Sequence, residues 1–271
     1  MKFWGRLVDQ SLLKEFVNLH NCPISNHSFV KKCKESLKDD GVLTIPGFLR
    51  DSSLKELITE AKENQDKAYY SSSTHNVYLT PNDKSLSDRH IFNHQVKSSK
   101  GCITTDQIPN HSGLKVIYQS VLFKRFLAEI VNEDTIYEYE DPFSSINIHY
   151  AMNGQELGWH FDNSSFAVTL LLQKPPKGGI FEYVKNVRDA DSGEMGYETV
   201  TKIINGQKKP SVLEFDPGTL VLFRGRNSIH RVTPTVGDIT RLLVVFAYNS
   251  QPGISLSKSA QKTFYGKVAG S

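Results

Sequence analysis

Cysteine is scarce: the chain has 271 residues and only Cys22, Cys33 and Cys102. Their odd number and the lack of CxxC spacing exclude a disulfide framework and a zinc knuckle, and fit reduced thiols in a cytoplasmic protein. No apolar run reaches ~18 residues, which excludes a membrane-spanning helix. Residues 1–6 show neither an apolar h-region nor a cleavage pattern, so no secretory leader is expected. Charge of one sign is lacking too. The 32 basic and 29 acidic residues leave +3, with a pI near 8.6. That balance gives no concentrated basic face for nucleic acid or an anionic membrane. Internal repeats and low-complexity tracts are absent as well.

What remains is an ordinary globular composition, 38% hydrophobic and 23% charged, long enough to bury a full core as one domain. The first part, 1–134, reads as mainly helical. Residues 28–39 place Phe29, Val30, Cys33 and Leu37 at helical spacing behind Ser28 as N-cap. A short strand, 42–45, ends at Pro46-Gly47, and Asp51-Ser52-Ser53 opens a second helix carrying Leu54, Leu57, Ile58 and Ala61 on one stripe. A further helix is expected over 114–131. Between them, 70–110 is rich in Ser, Thr, Asn, His and Pro without a sustained period, and reads as a long loop or lid. From 135 to 250 short β-branched and aromatic runs alternate with turn residues, at 145–152, 166–173, 179–184, 211–215, 219–223, 229–233 and 241–247. Regular short strands of this kind are the signature of a sandwich or barrel. Residues 189–206 read as a charged surface insertion and 251–271 as a C-terminal tail.

Trp159-His160-Phe161-Asp162 is the most informative tetrapeptide. On a strand, residues two apart share a side, so His160 and Asp162 present an imidazole and a carboxylate together. By itself that spacing also fits a surface pair. His230, at the end of a later strand pattern, supplies a third donor of the same kind. Two histidines and a carboxylate on one face of an octahedral ion form the facial triad of non-haem Fe(II) oxygenases. Arg241 follows eleven residues after His230 and heads the apolar run Leu242–Ala247. A guanidinium aimed into a β-core is costly unless it meets an anion, and its planar fork matches a carboxylate. The other reading of Arg241 is an edge residue pointing to solvent.

These residues, with Gly178-Gly179-Ile180-Phe181-Glu182 and Pro217-Gly218-Thr219-Leu220, resemble the Fe(II)/2-oxoglutarate-dependent dioxygenases over roughly 140–250. Asp40 through Phe48 resembles the opening strand of the phytanoyl-CoA hydroxylase-like branch. Trp159–Gln173 and Gly179–Tyr183 are most similar to the free amino-acid halogenases and their hydroxylase relatives. The resemblance implies a mainly β fold with α, a double-stranded β-helix (jelly-roll, cupin-like) core with the N-terminal helices packed on it. It implies His160, Asp162 and His230 as catalytic metal ligands, Arg241 on the distal carboxylate of 2-oxoglutarate, and Fe(II), 2-oxoglutarate and O₂ as cofactors. The halogenases replace the carboxylate ligand by a small residue that leaves a place for chloride. Asp162 fills that place here, so the resemblance implies hydroxylation of an unactivated C–H bond, with succinate and CO₂ as co-products. Desaturation or cyclisation by the same chemistry is the alternative outcome.

The expected substrate is a small molecule, a free amino acid or a derivative, with no nucleic-acid or membrane partner. Asn147 and His149 share one strand face opposite Ile146 and Ile148. Asn147 and Thr169 are candidates for 2-oxoglutarate, and His149, Trp159 and Asn163 for substrate. Arg89 is the nominee for a substrate carboxylate, because an Arg from this region has that role in the amino-acid branch. Glu140 and Asn249 are weaker substrate candidates. The lysines of 97–100 read as solvated surface. Two other classes compete: a non-catalytic jelly-roll binding module, and a zinc hydrolase, which would have no use for Arg241.

Overall fold

The computed structural model describes residues 2–270, with side chains described from Asp9 onward. The N-terminal part runs α1 (Lys2–Phe16), α2 (His27–Asp40), β1 (Val42–Ile45), α3 (Asp51–Glu63), β2 (Tyr69–Asn76), β3 (Gln95–Ile103), α4 (Gly113–Gln119) and α5 (Val121–Val131). The β-rich part follows as β4 (Ile146–Ala151), β5 (Leu157–His160), β6 (Ala167–Gln173), β7 (Lys177–Gly178), β8 (Phe181–Val184), α6 (Tyr197–Ile204), β9 (Ser211–Leu213), β10 (Leu220–Phe223), β11 (Ile229–Val232), β12 (Thr235–Val236) and β13 (Arg241–Phe246), and ends in α7 (Lys258–Tyr265).

Among the described residues, eleven strands form one curled antiparallel sheet in the order β1-β10-β6-β13-β4-β3-β5-β11-β8-β9, with β2 beside β3. Helices α1–α5 pack on its outer face, α7 reaches the cavity on the concave side with Thr263 and Phe264, and the sheet folds over to give the jelly-roll core expected. β10 shows how the layers form. Leu220 and Leu222 bury into the helix-backed core, while Val221 and Phe223 turn to the concave side with Phe181 and Tyr183. A strand covered on both faces needs no polar alternation, and its four residues are all apolar.

Local chemistry sets the helix ends. The N-cap of α2 is Asn26, whose side chain accepts from the Phe29 amide at 3.0 Å, rather than Ser28. Gly41 ends α2 in the left-handed conformation at φ 73°. The helix expected over 114–131 is broken at Ser120, which leaves helical geometry and caps α5 by accepting from the Phe123 amide. The Asp9 carboxylate accepts from the Val121 and Leu122 amides at the same end.

Two further expectations are corrected. The 70–110 segment is not a loop throughout, because β2 and β3 pair residue by residue from Tyr69–Cys102 to Asn76–Gln95, leaving 77–94 and 104–110 outside the strands. The 189–206 insertion contains α6, which buries Val200 and Ile203 against Val187 and Ile229.

Candidate functional site

His160 ends β5 and lies directly across the β5–β11 pair from His230. Asp162 follows β5, its backbone amide donating to the Gly225 carbonyl at 3.1 Å. Asp162 Oδ1 is 3.7 Å from His160 Nε2 and 3.5 Å from His230 Nε2, and the three donor atoms lie within 4.8 Å of one another. Each imidazole is oriented from behind. His160 Nδ1 is 2.8 Å from the Gly158 carbonyl and His230 Nδ1 is 3.0 Å from that of Ser228. Those carbonyls fix the ring orientation at Nδ1 and leave both Nε2 atoms facing the carboxylate, the usual outer support of a metal-binding histidine.

The electrostatics match. Burial, followed by the charge of His230, pushes His160 well below the ordinary histidine range. Burial alone would raise the Asp162 carboxyl, but the charge and hydrogen bond of His230, then His160 and Arg188, hold it below its usual value. A neutral His160 imidazole and an ionised Asp162 carboxylate are protonation states that suit a cation. Asp162 Oδ2 is buried without a hydrogen-bond partner. Three converging donors and one orphaned carboxylate oxygen fit a divalent ion, and two nitrogens with one hard oxygen fit Fe(II). Gly225 completes the cradle: a β-carbon there would overlap Asp162 Oδ2.

The triad opens onto a cavity of about 310 Å³. Arg241, at the start of β13, is buried at 6% exposure and lines it. Burial lowers its guanidinium to about 10. None of the ion pairs or side-chain hydrogen bonds among the described residues involves Arg241, so an anion in the cavity is its available partner. Thr169 and His149 line the same space, beside Phe181, Phe223 and Leu243. A guanidinium over apolar walls suits a short-chain dicarboxylate such as 2-oxoglutarate.

The other sequence candidates lie elsewhere. Asn147 shares the His149 face but stops short of the cavity; its amide donates to the Phe143 and Ile146 carbonyls and its oxygen accepts from Tyr265 Oη. Trp159 is buried in a separate apolar cluster under the Arg231 guanidinium, 4.8 Å from its ring centre. Arg89, Asn163 and Glu140 are exposed and line no part of the cavity. Asn249 belongs to a bridge with Tyr137, also away from it. Residues passed over in the sequence take their places. Lys100 is not solvated surface: it projects from β3 into the cavity and donates to His149 Nε2 at 2.8 Å. His75, from β2, lines the cavity with its Nε2 2.7 Å from Ser98 Oγ. Arg188 lies 4.2 Å over the Phe161 ring, behind the triad. The alternation within β3 placed Lys100 and Cys102 on one face, a signal hidden by reading the segment as a loop.

The family model described as Halogenase D matches residues 25–264. The chain belongs to that family. It is thereby an oxidoreductase of the Fe(II)/2-oxoglutarate oxygenase superfamily, and the donor set fits the cofactors of that class. No curated protein sequence matches it. Solved structures with the same fold include a 2OG-Fe(II) oxygenase family oxidoreductase from Burkholderia pseudomallei (14% identity, TM-score 0.53, 84% of this chain and 94% of that one). The epimerase SnoN from nogalamycin biosynthesis superposes at TM-score 0.57 with 12% identity, covering 82% and 84%. A prolyl hydroxylase from Trichoplax adhaerens, solved with a hypoxia inducible factor peptide fragment, gives 0.54 and 14%, covering 82% and 90%.

Proposed function

We propose that this Halogenase D family member hydroxylates an unactivated C–H bond of a small polar substrate, a free amino acid or a derivative, and converts 2-oxoglutarate to succinate and CO₂. The observation that carries the reading is the intact His160–Asp162–His230 cluster sharing one cavity with the unpartnered Arg241. His160, Asp162 and His230 would hold Fe(II), and Arg241 the distal carboxylate of 2-oxoglutarate. Iron, 2-oxoglutarate and O₂ together supply the oxidising power that removes hydrogen from the substrate.

The chain's own residues orient and shield. The Gly158 and Ser228 carbonyls fix the imidazoles, and Gly225 makes room for the carboxylate. Phe181, Phe223, Leu243 and Val245 keep water from the reacting centre. The presence of Asp162 supports hydroxylation over halogenation in spite of the family's name, because the carboxylate takes the place a halide would need. The cavity size and the polar rim of Ser71, Ser73, His75 and Ser98 support a small polar substrate. Arg89 has no part in this reading, since it is exposed.

A panel of free amino acids, amino-acid derivatives and peptides, followed by succinate release and product mass, tests the proposal. Gain of one oxygen atom on an amino acid or derivative is the expected result. Turnover confined to peptides, or a chlorinated product, would contradict it; loss of two hydrogens would point to desaturation or cyclisation.

A further inference from the structure

The concave sheet carries a second cation that the proposed function does not use. β4 lies between β3 and β13, and its His149 is paired with Cys102 on one side and Leu243 on the other. Counting two residues from each, Lys100 and Arg241 fall on the same face as His149, on either side of Ala151 and diagonal to the imidazole. All three line the cavity. They also line a small recess beside it, together with Glu156, Leu157 and Val232, on the far side of the His160–His230 pair along β5 and β11.

The charges there are out of balance. None of the ion pairs among the described residues includes Lys100 or Arg241. The carboxylates facing the group are Glu156, which lies within 4 Å of neither cation, and Asp162, which belongs to the metal cluster. Among the described residues the one polar partner of the Lys100 ammonium is the His149 ring, 2.8 Å away at Nε2 and 3.3 Å at Nδ1. Burial, then the charges of Lys100 and Arg241, drives His149 far down, so the imidazole is neutral and the ammonium rests against its ring. Burial also lowers Lys100. Two cations in one apolar-walled space, with no anion of their own, cost stability unless a ligand brings negative charge.

We propose that Lys100, packed against the His149 ring, forms with Arg241 a two-cation clamp on the distal carboxylate of 2-oxoglutarate. This rests on the reading of the site as an Fe(II)/2-oxoglutarate centre. Arg241 supplies the planar fork and Lys100 a point charge from the opposite strand, so one carboxylate satisfies both. Lys100 is in this sense a specificity residue: it distinguishes 2-oxo acids that carry a second carboxylate from those that do not.

The test is anaerobic binding, read by calorimetry and by the charge-transfer absorption of the Fe(II) protein. Two probes are used: 2-oxoglutarate and 2-oxopentanoate, the same chain without the distal carboxylate. Lys100→Met should weaken 2-oxoglutarate by about 10- to 100-fold, the size of a charge-assisted contact, and leave 2-oxopentanoate unchanged. Lys100→Arg should restore part of the loss, and Lys100→Met with Arg241→Met should bind the two probes alike. If Lys100→Met binds 2-oxoglutarate as the parent does, the clamp is wrong while the iron site stands. Equal weakening of both probes would mean a damaged cavity and also overturns it. No binding of 2-oxoglutarate by the parent protein would overturn the site reading itself.

Discussion

Gly225 shows how a residue without a side chain can belong to a metal site. The Asp162 carboxylate occupies the space a β-carbon would take. Gly225→Ala should therefore push the carboxylate out of line and reduce Fe(II) affinity about 10- to 100-fold, the usual effect of disturbing the support of a ligand; titration of metal-free protein with Fe(II) under anaerobic conditions checks it. Arg241→Ala should raise the 2-oxoglutarate requirement, with loss of about 1.5–3 kcal/mol of binding, and leave Fe(II) affinity near that of the parent. An unchanged requirement would mean that the guanidinium has another role. At this scale the sequence was readable where chemistry forces a pattern. His160, Asp162 and His230 stood out because few functions need two imidazoles and a carboxylate so spaced, and Arg241 because it heads an apolar strand. Arg89, Glu140, Asn163 and Asn249 carried no such constraint, and the fold leaves all four away from the cavity.

Among the elements, the apolar strands were legible, including those that line the cavity, and the polar β2–β3 hairpin was not. β6 and β13 carry apolar residues because both faces are covered. β2, reading Tyr-Tyr-Ser-Ser-Ser-Thr-His-Asn, turns Ser71, Ser73 and His75 to the cavity and is otherwise largely exposed, so no apolar alternation marks it. Lys100 and His75 were hidden with it. α7 was equally silent, yet it seals the end of β4. Tyr265 Oη donates to Asn147 Oδ1 at 3.1 Å and lies 3.3 Å from Ser144 Oγ. Tyr265→Phe leaves the buried Asn147 oxygen short of a donor and should cost about 1–2 kcal/mol in a urea unfolding experiment.

For the whole molecule, the buried basic cluster makes the stability of the metal-free protein depend on pH. Burial and the neighbouring cations hold His149 below its unfolded value of about 6.5. Below that pH the unfolded chain binds a proton that the folded protein refuses. Stability is thus fully present above about pH 6.5 and falls as pH drops toward the lowered native value, at up to about 1.4 kcal/mol per pH unit for this one group. Urea midpoints between pH 7.5 and 5.5 should show the decline, and His149→Gln should make it shallower. Cations crowded inside a fold make sense only if something anionic completes them, and the jelly-roll brings them to the same hollow as the three metal donors. The most direct test of that claim is an anaerobic titration of metal-free protein with Fe(II) and then 2-oxoglutarate, watched for the weak charge-transfer absorption of the chelate. The absorption should appear at one equivalent of each in the parent and be absent from His160→Ala. No absorption from a folded parent protein, or an equal signal from His160→Ala, would contradict the account.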